Sequence, residues 1–171
     1  ISANTGCGIS LEDSSFTKIW NNKITKNILN GIEFHGTSNH NHVYRNNITE
    51  NDNGLWLLPQ ANRNIIEVNN VTINRANGIV LKGSSFNNIT DNRIMANHEN
   101  GIFTMGATYN RVYRNNITNN QDNGIYLLDW SNNNIIGEFP SIGVARNNIL
   151  YNGNNGILVH ASHWNTMEFN N

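Results

Sequence analysis

The stretch Gly101–Asn123, GIFTMGATYNRVYRNNITNNQDN, decides how the whole chain reads. It is 23 residues long and runs straight into Gly124-Ile125, the opening of another copy. Glycine followed by a large aliphatic recurs at Gly8, Gly31, Gly54, Gly78, Gly101, Gly124 and Gly156, at spacings of 23, 23, 24, 23, 23 and 32 residues. A fixed period of this size is the signature of a repeat architecture. Three further apolar columns follow the same period. One lies two residues past the aliphatic: Leu11, Phe34, Leu57, Leu81, Thr104, Leu127 and Val159. The next stands eleven residues past the glycine, twelve in the second copy: Ile19, Val43, Ile65, Ile89, Val112, Ile135 and Met167. The last precedes the following glycine: Ile1, Ile24, Ile48, Val71, Ile94, Ile117 and Ile149.

Each copy therefore holds three short segments in which apolar and polar residues alternate, which is strand periodicity with one face inward. Ser, Asn and Gly separate the segments, and these are turn residues. The Asn-Gly pairs are expected to supply positions of positive φ. No stretch carries the i, i+3, i+4, i+7 pattern of a helix. The expectation is an all-β, single-stranded parallel β-helix of about seven coils, each of about 23 residues and three short strands. Coils stacked about 4.8 Å apart would make a rod roughly 35 Å long.

Asparagine supplies 39 of the 171 residues. In a coil stack, Asn above Asn can form hydrogen-bonded side-chain ladders. Such a row stabilises the fold when its amides are paired and costs a few kcal/mol per group when they are not. The column Asn4, Asn27, Asn51, Asn74, Asn97, Asn120 and Asn152 is expected to point inward as one ladder. A second is expected through Asn22, Asn46, Asn69, Asn92, Asn115 and Asn147.

The formal net charge is −1, with 13% charged residues, so no basic field points to nucleic acid. No apolar run approaches the length of a membrane span. The single cysteine, Cys7, rules out an internal disulfide. Residues 1–171 read as one domain and as a segment of a longer chain, whose open ends would meet further coils, another domain or a subunit. The sixth copy carries nine extra residues, with the insertion at 137–145. Phe139 and Ile142 within it predict a loop that folds over the rod or meets a partner.

Gly78 to Ile94, GIVLKGSSFNNITDNRI, resembles the repeats of right-handed parallel β-helix proteins of the NosD-like and carbohydrate-associated kind. The resemblance extends over the whole chain and implies right-handed coiling. It also implies an extracellular, cell-surface or periplasmic setting. Proteins with such repeats include polysaccharide lyases, uronate epimerases, surface adhesins and a periplasmic protein linked to copper-enzyme maturation. A fold shared this widely leaves function to be argued from a site.

Outward residues of the first strand give the main candidates. Trp56, Val80, Phe103, Tyr126 and Leu158 form an apolar stripe, widened by Leu58, Met105 and Leu128. A stripe of this kind is an interface with another domain or subunit, or a surface on which sugars stack. Candidate proton-transfer residues are Glu12, Glu33 and His35, with Glu12 and His35 expected to be neighbours in adjacent coils. No Lys or Arg joins them in those coils, and Lys82 is two coils away. On the second strand, Tyr44-Arg45 and Tyr113-Arg114 could hold an acidic sugar chain. His35, His40 and His42, and His160 and His163, show no recognised metal-ligand spacing, so neither metal nor cofactor is expected. Asn47, Asn70, Asn88 and Asn116 lie in glycosylation sequons.

The favoured expectation is a non-catalytic module that presents a glycan- or protein-binding face. The alternatives are a polysaccharide lyase or C5-epimerase domain, and a fibre or filament segment.

Overall fold

The computed structural model describes residues 1–137 and 146–171. Among these residues every regular element is a strand of three or four residues, and the strands pair only in parallel. Successive strands go to three different sheets, so each coil lays one strand on each. The first and second sheets have seven strands and the third has six. That makes six complete three-strand coils and a partial seventh, slightly fewer than the repeat count predicts. One coil shows the pattern. Ile102–Met105 lies in the first sheet, Arg111–Tyr113 in the second and Asn116–Thr118 in the third. Each pairs in register with the strand one repeat before and one repeat after.

The predicted apolar columns fill the interior. Ile32, Leu55, Ile79 and Ile102 are fully buried, as are Phe34, Leu57 and Leu81 of the second column. Burying each such side chain contributes about 1.5–3 kcal/mol. In the third column, two predicted positions are wrong. Ile66 and Ile136 are buried in the copies where Ile65 and Ile135 were expected, and Ile65 is 39% exposed. The register pairs Val43 with Ile66, and Val112 with Ile136. The turn after the first strand is one residue longer in these copies, as it is in the second. A one-residue shift sends the side chain to the opposite face of the sheet.

Both predicted Asn ladders are present. In the middle of one, the Asn97 side-chain amide donates to Asn120 Oδ1 at 2.9 Å and to the Val71 carbonyl at 3.2 Å. Its own oxygen accepts from Asn74 Nδ2 and from the Asn74 backbone. The second ladder repeats these contacts through Asn46, Asn69, Asn92 and Asn115. A third ladder, Asn41, Asn64, Asn87, Asn110 and Asn134, runs the same way after the first sheet. The Asn that precedes every anchor glycine except Gly8 makes a fourth, in which Asn53, Asn77 and Asn100 donate backward to the preceding coil.

The anchor glycines are not the positive-φ residues. They are needed because the backbone packs too closely for a Cβ: at Gly101 it would sit 2.5 Å from Ile117 Cγ2 and 2.6 Å from the Gly124 carbonyl. Positive φ falls instead largely on the residue just before the Asn of the first three ladders, including Phe86, Ala96, Tyr109 and Arg114, and even on β-branched Val68 and Ile73. A left-handed non-glycine residue costs about 1–3 kcal/mol. The ladder offsets that cost by taking up the polar backbone groups at the same corner.

Candidate functional site

The outward stripe of the first sheet is in register across the coils, in the order Glu33, Trp56, Val80, Phe103, Tyr126, Leu158. It does not form a flat patch. Val80 is small and only 3% exposed between the larger Trp56 and Phe103. The result is a groove of about 330 Å³ with these three residues as its floor. Lys82 and Met105 bound one side, while Asn77 and Glu99 bound the other. Asn77 Nδ2 donates to Glu99 Oε2 at 2.6 Å, which holds that carboxylate at the rim. Lys82 is exposed and forms no ion pair among the described residues. Tyr126 leans on Phe103, with ring centroids 5.5 Å apart and planes at 51°. Its hydroxyl lies 3.4 Å from His160 Nδ1. The Trp56 indole Nε1 is buried and has no hydrogen-bond partner among the described residues. Such a donor costs about 1–3 kcal/mol while it stays unpaired.

Glu12, Glu33 and His35 come together at the N-terminal end of the stripe. Glu12 pairs with His35 across adjacent strands. His35 Nε2 lies 2.7 Å from Glu33 Oε1. The other Glu33 oxygen accepts from Asn30 Nδ2 and from the Cys7 thiol, the latter at 3.0 Å. Burial, with the Glu33 carboxylate beside it, pushes the Cys7 thiol up to about 11. Glu33 is thus a hub with three donors around it, and Lys82 stands two coils away, as the spacing predicts.

The second-sheet candidates do not act as a set. Tyr44 stacks on Trp20, with planes 6° apart, and packs against His42. Arg45 is exposed. Arg114 makes a two-point contact with Asp91, Nε to Oδ1 at 2.9 Å and Nη2 to Oδ2 at 2.6 Å. That contact raises its pKa above the ordinary arginine value. The Tyr113 hydroxyl accepts from Asn88 Nδ2. The Arg114 fork and the Asn88 amide are therefore already engaged within the rod.

Among the other sequons, Asn47, Asn70 and Asn116 share one outward column of the third sheet. Asn70 donates to Asn47 Oδ1, and Asn148 donates to Asn116 Oδ1. The histidines disperse: His40 stacks on Phe16, and His42 Nε2 contacts Glu67 Oε1 at 2.8 Å. Among the described residues, no three His, Cys, Asp or Glu side chains converge as a metal site would require. Of the predicted insertion, 138–145 lies outside the described residues.

Sequence reasoning missed a second aromatic column, at the corner between the first and second sheets. Phe16 stacks on His40, the Arg63 guanidinium lies over Phe86, and Phe86 stacks on Tyr109 with planes 4° apart. Its signal was an aromatic or cationic residue immediately before the third-ladder Asn. Trp130, at the end of the first-sheet strand of the sixth copy, was missed as well.

Comparison with known proteins supports the architecture. No curated protein matches the chain. Among solved structures, the periplasmic alginate epimerase AlgG superposes over 97% of this chain with a TM-score of 0.81 at 18% identity. The A-module of the Azotobacter vinelandii mannuronan C-5 epimerase AlgE6 superposes over 99% with a TM-score of 0.72 at 15% identity. The chain spans 43% and 55% of those two proteins. At such identities the likeness is one of fold. The signature of the right-handed beta helix region matches residues 40–171, and the chain belongs to that family.

Proposed function

We propose that this β-helix segment binds a polysaccharide chain in the groove of its first sheet and acts there as a recognition surface, outside the cytoplasm. The observation that carries the reading is the groove itself: two large rings either side of a small valine, with polar groups along both rims. Trp and Phe faces suit the apolar faces of sugar rings, and rim amides and charges suit hydroxyls and acid groups. A panel of alginate, pectate and neutral glucans, titrated while following tryptophan fluorescence, tests the reading. Saturable binding that disappears in the double variant Trp56→Ser, Phe103→Ser is the expected outcome. If no polysaccharide binds, or if the double variant binds as well as the parent, the reading fails.

One observation favours a catalytic alternative, an epimerase or lyase that acts on uronates. The His35–Glu33 pair has the geometry of an oriented base and lies at the end of the same stripe. Solvent deuterium entering mannuronate at C5, or a new unsaturated uronate end seen by ultraviolet absorbance, would establish that activity. Loss of the signal in His35→Ala would assign it.

A further inference from the structure

The groove does not end at Lys82 and Met105. Both residues also border a second, more open depression of about 600 Å³, whose floor is the Gly83 and Gly106 backbone and whose far wall is Trp130. We propose that the two depressions form one track, that a glycan chain crosses the rod along the strand direction, and that Trp130 is its outer stacking platform. The proposal rests on the groove being the glycan site and extends it by a further subsite.

Three features favour this geometry. First, the shelf is mostly backbone. Gly83 and Gly106 occupy positive-φ positions at the ends of their strands, and a Cβ on Gly106 would meet only the Asp129 carbonyl, at 3.8 Å, while Pro59 packs beside Gly83. A chain lying across the sheet therefore passes from the aromatic floor, past Lys82 and Met105, onto the glycine backbone. From Val80 to Gly83 is three residues, about 10 Å of strand. Second, Trp130 is exposed yet held in place. Its turn is left-handed at both Asp129 and Trp130. Asp129 N and Trp130 N donate to the carbonyls of His160 and Ala161 in the next coil, and the Asp129 carbonyl accepts from Gly106 N. These bonds fix the backbone under the ring, and the ring meets His163 edge-on with centroids 6.3 Å apart, so a stacking sugar has only the side-chain torsions left to order. Third, Lys82 stands where the depressions meet and forms no ion pair among the described residues. It is placed for an acid group on the sugar chain. Along the rod axis the route is less open, because Tyr126 leans on Phe103 on one side and Glu33 follows Trp56 on the other.

The test compares alginate trisaccharide and hexasaccharide, by calorimetry, on the parent chain and on Trp130→Ala and Lys82→Gln. The expected result is that the parent binds the hexasaccharide about tenfold more tightly than the trisaccharide, and that Trp130→Ala abolishes this length advantage while keeping trisaccharide affinity. Retained trisaccharide binding also shows that the variant folds. Lys82→Gln should remove any preference for alginate over cello-oligosaccharides of the same length. If Trp130→Ala keeps the length advantage, the transverse track is overturned while the groove stands. If neither oligosaccharide binds the parent chain, the groove reading itself fails.

Discussion

Two outward aromatic columns run beside each other on this rod, and they differ in what their ring faces touch. At the corner, Phe86 lies parallel to Tyr109 and under the Arg63 guanidinium, so its faces are taken by its neighbours in the stack. On the first sheet, Val80 separates Trp56 from Phe103 and leaves open space between them. Both columns are conspicuous apolar surface. The corner column is closed on itself along the axis and acts as external bracing. The sheet column leaves its rings apart around a groove that can receive a ligand, whereas the depression of about 340 Å³ beside Phe86 and Tyr109 is bordered by rings that stack on each other. Exposure alone does not mark a site, whereas an unoccupied ring face does.

Four changes would break or sharpen that contrast. The largest effect is expected from Asn87→Ala, directly after Phe86 in the chain. The Asn87 oxygen accepts from the Asn64 backbone and side chain, and its amide donates to Asn110. Leaving these buried partners unpaired should cost about 3 kcal/mol or more, read as a lower urea midpoint at unchanged m. A change below about 1 kcal/mol would mean that the ladder does not set the corner on which the stacked column stands. Next comes the pair Trp56→Ser and Phe103→Ser, which should weaken polysaccharide binding about a hundredfold with little change in stability. Phe86→Ser should do the reverse, lowering stability by about 1 kcal/mol through the lost stacking while binding is unchanged. A binding defect in Phe86→Ser would merge the two columns into one surface.

The smallest effect lies at the head of the sheet column, where Cys7 meets Glu33. With its folded pKa raised to about 11, the thiol stays protonated at pH 8 and should alkylate slowly. Glu33→Gln should speed that reaction, since it removes the charge that helps hold the proton. The sign for stability follows. The native chain holds this proton more tightly than the unfolded one, so its contribution is present below about pH 9 and is lost as pH rises toward 11. A thiol that alkylates in the native chain as fast as in urea would show that neither burial nor the Glu33 contact protects it.

Most of the scaffold was legible because each copy repeats the same physical problem. Ile24, Ile48 and Val71 recur six or seven residues before the glycine, and the chain buries all of them. The misplacement of Ile65 and Ile135 shows where counting from the glycine breaks down. A longer turn shifts everything after it, whereas Asn64 and Asn134 keep a constant two-residue distance to Ile66 and Ile136. Counting from the ladder Asn would have placed both correctly. The candidate site was legible only as a stripe. Trp56 and Phe103 read as outward from alternation, but the hollow between them depends on Val80 lying opposite both. Arg114 read as a free cation, and only the folded chain brings Asp91, 23 residues earlier, against it.

The sequence by itself determined the coil, its three strands, three of its four inward columns and its first two Asn ladders. These follow from local alternation and from a period that places like residues above like. Tertiary structure alone decided which outward side chains meet. Contacts such as Phe86 on Tyr109, Arg114 on Asp91, and Lys82 shared by two depressions join residues a full coil apart. Their geometry depends on ring tilt, turn length and the size of the residue between, none of which the period encodes.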